Sequence, residues 1–228
     1  MAKRSSFLLK QKLAALSIAL AALGSLLYLL VLSTTDESAL GIFTEGKHYS
    51  VVESPRRIRG ERVEVMEFFS YGCIHCYNFD DTLADWVNDR KDQVRFIRSP
   101  LVGNENWRLL GKHYYTLEQL KQTEQRHRSS FVAIHDKGKI FNRVESLADY
   151  FADDNLPHQT YTSTFNSPNV SGQVGLADQL SRRFKISSVP TLVVHGKYKV
   201  GMTVDVGPNR MLEVVEHLIE KIRSEKSP

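Results

Sequence analysis

From Leu13 to Leu32 the chain reads LAALSIALAALGSLLYLLVL, twenty positions without a charge or a proline. At about 1.5 Å of rise per residue, a helix of that length spans roughly 30 Å, the thickness of a bilayer's hydrocarbon core. No face of the stretch is polar, so it does not read as a helix packed on a globular core. A polar connector from Asp36 leads into an edge strand at Lys47 to Val52, and Pro55 to Gly60 breaks the pattern. Alternation returns at Arg62 to Phe69, with Val63, Val65, Glu67 and Phe69 on one face and Glu64, Met66 and Phe68 on the other. From Ile74 to about Asn88, Phe79, Leu83, Trp86 and Val87 recur at helical spacing, and Gln93 to Arg98 reads as the next strand. Strand, helix and strand in so short a span predict a βαβ unit, with parallel strands and a right-handed crossover.

From Asn104 to Phe184 the period is helical almost throughout. Leu109, Leu110, His113, Tyr114, Leu117 and Leu120 mark one helix, and Ser129 to His135, Ser146 to Phe151 and Val174 to Phe184 mark others. Turn-rich breaks stand at Asp153 to Pro157 and Asn166 to Gly172. The block reads as a helical insertion in the βαβ scaffold. A strand at Val189 to Val194 follows, paired with Tyr198 to Val200 across His195-Gly196-Lys197. Pro208 opens a closing amphipathic helix through Leu212, Val215, Leu218, Ile219 and Ile222. The predicted fold class is α/β.

Charge assigns the first apolar stretch a topology. Lys3, Arg4, Lys10 and Lys12 precede it, which places the N-terminus in the cytoplasm and residues from about 33 onward outside. The run is longer than the apolar core of a secretory signal peptide and no good cleavage site follows it, so it reads as a retained anchor. Cleavage within the small residues from Ala21 to Ser25 is the alternative. Of the 30 Lys and Arg, those four precede residue 33 and no acidic residue does, so the exported part balances 26 against 26. The basic excess is therefore a membrane-topology signal and gives no support to nucleic-acid binding.

The only two cysteines are Cys73 and Cys76, directly after the apolar strand and at the start of the predicted helix. At a helix N-terminus, unpaired N–H groups and the macrodipole favour a thiolate on the first sulfur, and one turn of helix brings the second beneath it. The pair can close a small disulfide and reopen it by exchange with another sulfur. A structural bridge over so short a loop adds little stability, and no second cysteine pair completes a four-sulfur zinc site. An oxidising compartment outside the membrane allows the pair to be held as a disulfide.

Together, Glu45-Gly46-Lys47-His48-Tyr49, Glu67-Phe68-Phe69-Ser70, Cys73-Ile74-His75-Cys76-Tyr77, Val189-Pro190-Thr191 and Gly196-Lys197-Tyr198 resemble the DsbA family of periplasmic thiol:disulfide oxidoreductases. The resemblance runs from Thr44 to Glu220 and implies a thioredoxin fold with an inserted helical domain, here preceded by one N-terminal transmembrane helix. Ahead of it, the apolar run and its charges set residues 1–12 as a basic cytoplasmic tail, 13–32 as a signal-anchor and 33–43 as a linker. Residues 44–103 and 185–224 are then the two parts of the thioredoxin fold, around an inserted helical domain at 104–184. Two features depart from the family: Ile74 stands where Pro is common, and the anchor is unlike its soluble members.

The resemblance implies Cys73 as the nucleophile, Cys76 as its buried partner and His75 as a group favouring the Cys73 thiolate. It also implies a cis Val189–Pro190 bond opposite the dithiol, with the Val189 backbone open to an extended client segment. Glu67 shares its strand face with Val63, Val65 and Phe69. It is thus expected near the sulfurs, where desolvation raises its pKa and suits it to proton exchange with Cys76; a strand glutamate reaching for solvent is the rival. His113, His127, His135, His158 and His217 show no ligand spacing and read as surface or packing residues.

The expected activity is donation of the Cys73–Cys76 disulfide to reduced exported proteins, followed by reoxidation through a membrane-bound partner, with no metal and no small cofactor. The expected location is the inner membrane, single-pass, with the catalytic domain in the periplasm. A reductase or isomerase working from the dithiol is an alternative within redox chemistry. Outside it stand a Cu(I)-delivery module using Cys73, His75 and Cys76 with Met202 or His195, and a peptide-binding chaperone.

Overall fold

The computed structural model describes residues 16–28 and 43–226 and divides into two units, 1–43 and 44–228. In the first, residues 16–28 form a helix (α1) with exposed leucines. Among the described residues no helix is long and apolar enough to cross a membrane. Positions 13–15 and 29–32 of the span predicted over 13–32 lie outside the described residues, as do 1–12 and 33–42, so the described helix falls short of that span.

The second unit is built on a five-stranded sheet. Its strands are β1 (Ser50–Val51), β2 (Val63–Phe69), β3 (Val94–Pro100), β4 (Thr191–Val194) and β5 (Tyr198–Gly201), in the order β1-β5-β4-β2-β3. The β2–β3 pair is parallel, crossed by α2 (Ile74–Asp89), and the other pairs are antiparallel. All seven residues of β2 are buried, so its alternation separates two dry faces rather than a wet one from a dry one. Met66 and Phe68 pack with Val52, Phe184 and Val193 on one side. Phe69 packs with Tyr71, Cys76, Leu110, Tyr114 and Phe131 on the other. Burying each such large apolar side chain contributes roughly 1.5–3 kcal/mol. Glu64, fully buried, is held between Arg56 and Arg95.

Five helices stand between β3 and β4: α3 (Glu105–Gln119), α4 (Thr123–His135), α5 (Val144–Phe151), α6 (His158–Phe165) and α7 (Pro168–Arg183). Asn104 caps α3, its side chain accepting from the Trp107 N–H at 2.8 Å. The start of α4 lies at Thr123 rather than Ser129, because its first turns bury His127, which hydropathy does not count as apolar. The pattern does not predict α6, whose sequence HQTYTSTF buries only Tyr161 and Phe165. Within the expected break at Asn166 to Gly172, α7 begins at Pro168, since Ser167 caps it and proline suits a first helical position.

The β4–β5 hairpin turns at Val194–Lys197 with φ of 50° at His195 and 65° at Gly196, the two positive values of a type I′ turn. A Cβ on Gly196 would lie 2.7 Å from the Arg56 carbonyl oxygen, so glycine is needed there for space as well as conformation. The closing helix α8 (Pro208–Lys226) packs on β2, β4, β5 and α2.

Candidate active site

The strand β2 ends at Phe69 and the turn Ser70-Tyr71-Gly72 delivers Cys73 as the N-cap of α2, in extended conformation (φ −102°, ψ 116°). The Cys73 N–H bonds the Ser70 carbonyl at 3.0 Å, and the Tyr77 N–H closes the first helical bond onto the Cys73 carbonyl at 3.1 Å. Helical periodicity then buries Cys76, Phe79, Asp80, Leu83 and Trp86 on one face. Both cysteines are thiols; Cys73 is half-buried and Cys76 has no exposed surface.

The two sulfurs have opposite acidities. A hydrogen bond from the Cys76 thiol, assisted by the backbone N–H groups of Cys76 and His75 and by the charge of His75, holds Cys73 down at about 6. Burial, the hydrogen bond to Cys73 and the charge of Glu67 push Cys76 far up. Near neutral pH the pair is therefore a thiolate at the surface above a protonated thiol within. Ile74 and His75 lie exposed on the first turn beside the thiolate.

Opposite the dithiol, Val189–Pro190 is cis. In its thiol form Cys73 Sγ donates to the Val189 carbonyl at 3.4 Å, which fixes how closely the Pro190 loop approaches the reactive sulfur. Pro190 is buried and Val189 partly so.

Glu67 lies fully buried in β2 and in register with Arg98 of β3, whose Nε donates to its Oε2 at 2.9 Å. Burial raises its carboxyl to about 7 against the lowering effect of Arg98, and the charges of Asp80 and Cys73 add to the rise. Arg98 Nη2 also donates to Asp80 Oδ1 at 3.4 Å. His127 of α4 reaches the same oxygen through Nε2 at 3.1 Å, and its Nδ1 stands 2.8 Å from the Tyr71 hydroxyl. Burial pushes Asp80 up, yet the His127 hydrogen bond and the charges of Arg98 and Arg128 hold it below the usual carboxylate range.

The six residues expected at the site, Cys73, Cys76, His75, Glu67, Val189 and Pro190, thus converge on the C-terminal end of β2. Arg98, Asp80, His127 and Tyr71 complete it and were not expected. Two of them carry a sequence signal: Arg98 falls opposite Glu67 once β2 and β3 are aligned, and Asp80 follows Cys76 by one helical turn. His127 carries none, because its partner is 47 positions away. His113 is buried too, bonded to Tyr161 at 2.7 Å and Ser130 at 2.9 Å. His135 stacks on Tyr77 at 5.1 Å and reaches the Tyr71 carbonyl at 2.8 Å. His195 sits in the hairpin beside Glu64, at the other end of β2 from the sulfurs. Among the described residues no group of three or more His, Cys, Asp or Glu could hold a metal ion.

The profile of the thioredoxin family matches residues 61–211. The thiol:disulfide interchange protein DsbA of Pseudomonas aeruginosa is 34% identical over 183 residues, covering 80% of this chain and 87% of the relative. Its counterpart in Azotobacter vinelandii is 32% identical over 206 residues, covering 85% and 95%. The crystal structure of Pseudomonas aeruginosa DsbA superposes with a TM-score of 0.77 at 33% identity, over 82% of this chain and 97% of that one. With a thiolate-favouring helix N-terminus, a buried second thiol and a cis-proline loop against them, the chain belongs to the DsbA family of thiol:disulfide oxidoreductases, on a thioredoxin fold with a helical insertion.

Proposed function

We propose that the chain donates the Cys73–Cys76 disulfide to reduced exported proteins in the periplasm. The observation that carries this reading is the split between the sulfurs: Cys73 is held at about 6 while Cys76 is pushed far up. Every interaction that favours the Cys73 thiolate stabilises the dithiol product, and so makes the disulfide a stronger oxidant. In the first step a client thiolate attacks Cys73 Sγ, the Cys73–Cys76 bond breaks, and its electron pair leaves with Cys76. Cys76 takes a proton from Glu67, whose carboxyl at about 7 is poised to give one. A second client thiolate then attacks the client sulfur of the mixed disulfide and releases Cys73 as the thiolate. The client loses two electrons and the chain gains them. A membrane-bound partner takes them back and restores the disulfide. His75 favours the thiolate, and the Val189–Pro190 segment holds an extended client beside Cys73.

We also infer that Leu13–Leu32 tethers the chain to the inner membrane as a single span, with its N-terminus in the cytoplasm. Support comes from the uncharged run and the four basic residues before it. Alkaline extraction of membranes would leave a tethered chain in the pellet, whereas cleavage near Ala21 to Ser25 would release a shorter chain to the soluble fraction.

The activity is tested with a reduced, unfolded secreted protein whose own activity needs its disulfides. The oxidised full chain restores that activity stoichiometrically, whereas Cys73→Ser and Cys76→Ser, each left with one cysteine and no disulfide to give, do not. A thioredoxin-like potential against glutathione, with Cys73 titrating above about 8, would overturn the oxidant reading in favour of a reductase.

A further inference from the structure

Glu67 and Asp80 are both buried, and one buried guanidinium, Arg98, serves them both. Two buried carboxylates sharing one buried cation favour retaining a proton, and the other partners decide which carboxyl carries it. Among the described residues Glu67 pairs with Arg98 alone, at 2.9 Å. Asp80 has Arg98 at 3.4 Å, Arg128 Nη1 at 3.7 Å on the solvent side, and His127 Nε2 at 3.1 Å.

The His127 bond has a fixed direction. An ionised carboxylate only accepts, so Nε2 carries the hydrogen that points at Asp80. Burial disfavours the charged ring. With one ring hydrogen on Nε2, Nδ1 is an acceptor, and the Tyr71 hydroxyl donates to it at 2.8 Å. Burial raises Tyr71 far above the ordinary phenol range, so it keeps that hydrogen. Tyr71 thereby locks the tautomer that lets His127 serve Asp80.

We propose that His127, from the inserted helical block, is a positioning residue for the dithiol: its Nε2–H keeps Asp80 ionised and so leaves the proton of the cluster on Glu67, where Cys76 exchanges it. The inference rests on the proposed proton exchange between Glu67 and Cys76. The other titratable or charged groups facing the cluster are Cys73, Cys76 and Asp81 of α2, Arg98 of β3, His113 and Tyr114 of α3, and Arg126 and Arg128 of α4. None of these gives Asp80 a second buried neutral donor. Without His127, Asp80 becomes the better home for the proton, Arg98 pairs with an ionised Glu67, and the leaving Cys76 loses its acid.

The test compares His127→Leu, which removes the donor, with His127→Gln, whose amide can donate to Asp80 and accept from Tyr71. The protonated-carboxyl infrared band of Glu67, identified by its loss in Glu67→Gln, is titrated in the oxidised full chain. The pH profile of client oxidation is measured alongside. In the wild type and His127→Gln the band disappears at a common midpoint above the ordinary carboxyl range. In His127→Leu its midpoint falls by about one pH unit or more, the effect of losing one hydrogen bond to a buried carboxylate, and the activity profile moves with it.

An unchanged midpoint in His127→Leu overturns the proposal, as does a shift in His127→Gln as large as that in His127→Leu. Should His127→Leu not fold, Asp80→Asn removes the competing carboxylate and must lower the Glu67 midpoint in the same way; no change there overturns it too. A Glu67 midpoint that follows His127 while client oxidation ignores both supports the positioning and defeats proton exchange by Glu67.

Discussion

Replacing Cys76 by Ala removes the thiol that points at Cys73, the largest of the influences that hold Cys73 at about 6. A hydrogen bond to a charged group is worth about 1.5–3 kcal/mol. A thiol is a weak donor and Cys73 is half-buried, so screening by solvent keeps this one at the lower end, near 1.4 kcal/mol or about one pH unit. The Cys73 midpoint in Cys76→Ala is therefore expected at about 7, read from ultraviolet thiolate absorbance and from the pH dependence of alkylation by iodoacetamide. Cys76→Ser keeps a donor in place and is expected to move the midpoint by less than half as much. A Cys76→Ala variant still titrating near 6 would refute the reasoning and assign the effect to the backbone N–H groups of α2 and to His75.

The same ionisation has a consequence for folding. The Cys73 midpoint is depressed in the folded dithiol relative to an unfolded cysteine near 8.5. Its contribution to stability is thus fully present above about 8.5 and is lost as pH falls toward 6. The disulfide form has no such titration. Denaturant unfolding of the two forms should show the stability of the dithiol, relative to the disulfide, shrinking between pH 8 and pH 5.5, below the range in which an unfolded Cys76 ionises; a constant difference would contradict the Cys73 assignment.

Three further outcomes are expected. Glu67→Gln keeps the fold but removes an inflection near pH 7 from the client-oxidation rate, corrected for the thiolate fraction of the client; an unchanged profile removes Glu67 from the mechanism. His75→Ala raises the Cys73 midpoint by less than Cys76→Ala does, because the charge of His75 is the smallest of the lowering influences; an equal or larger rise would reverse that ranking. Gly111→Ala places a Cβ 2.7 Å from Val102 Cγ1 in the contact between α3 and the chain beyond β3. Overpacking of about 1–3 kcal/mol should exceed the roughly 1 kcal/mol that Ala gains over Gly in a helix, so the urea midpoint falls; a rise would mean the contact yields freely.

The βαβ unit, the insertion, the hairpin and the closing helix are legible because each writes its period locally. Apolar residues at helical spacing along α3 and α8, alternation along β2, and Gly196 where the turn needs a positive φ are features of neighbouring residues. The dithiol is legible for the same reason, since strand, turn and Cys-x-x-Cys are contiguous. Where polar residues do the packing, the pattern is silent: α4 starts early around a buried histidine, and α6 is held by only two aromatic side chains.

The chain's residue order thus determined the fold family and the placing of the two thiols at the start of α2, because these follow from local period and from groups within one helical turn of each other. Folding decided the company the dithiol keeps. Glu67 meets Arg98 across a strand pair, Asp80 meets His127 across 47 positions, and Cys73 meets the Val189 carbonyl across 116. In the proposed proton exchange, the first two of those encounters set which carboxyl holds a proton beneath the sulfurs. Burial and hydrogen-bond partners control acidity, and both arise only when distant segments exclude water from the same place.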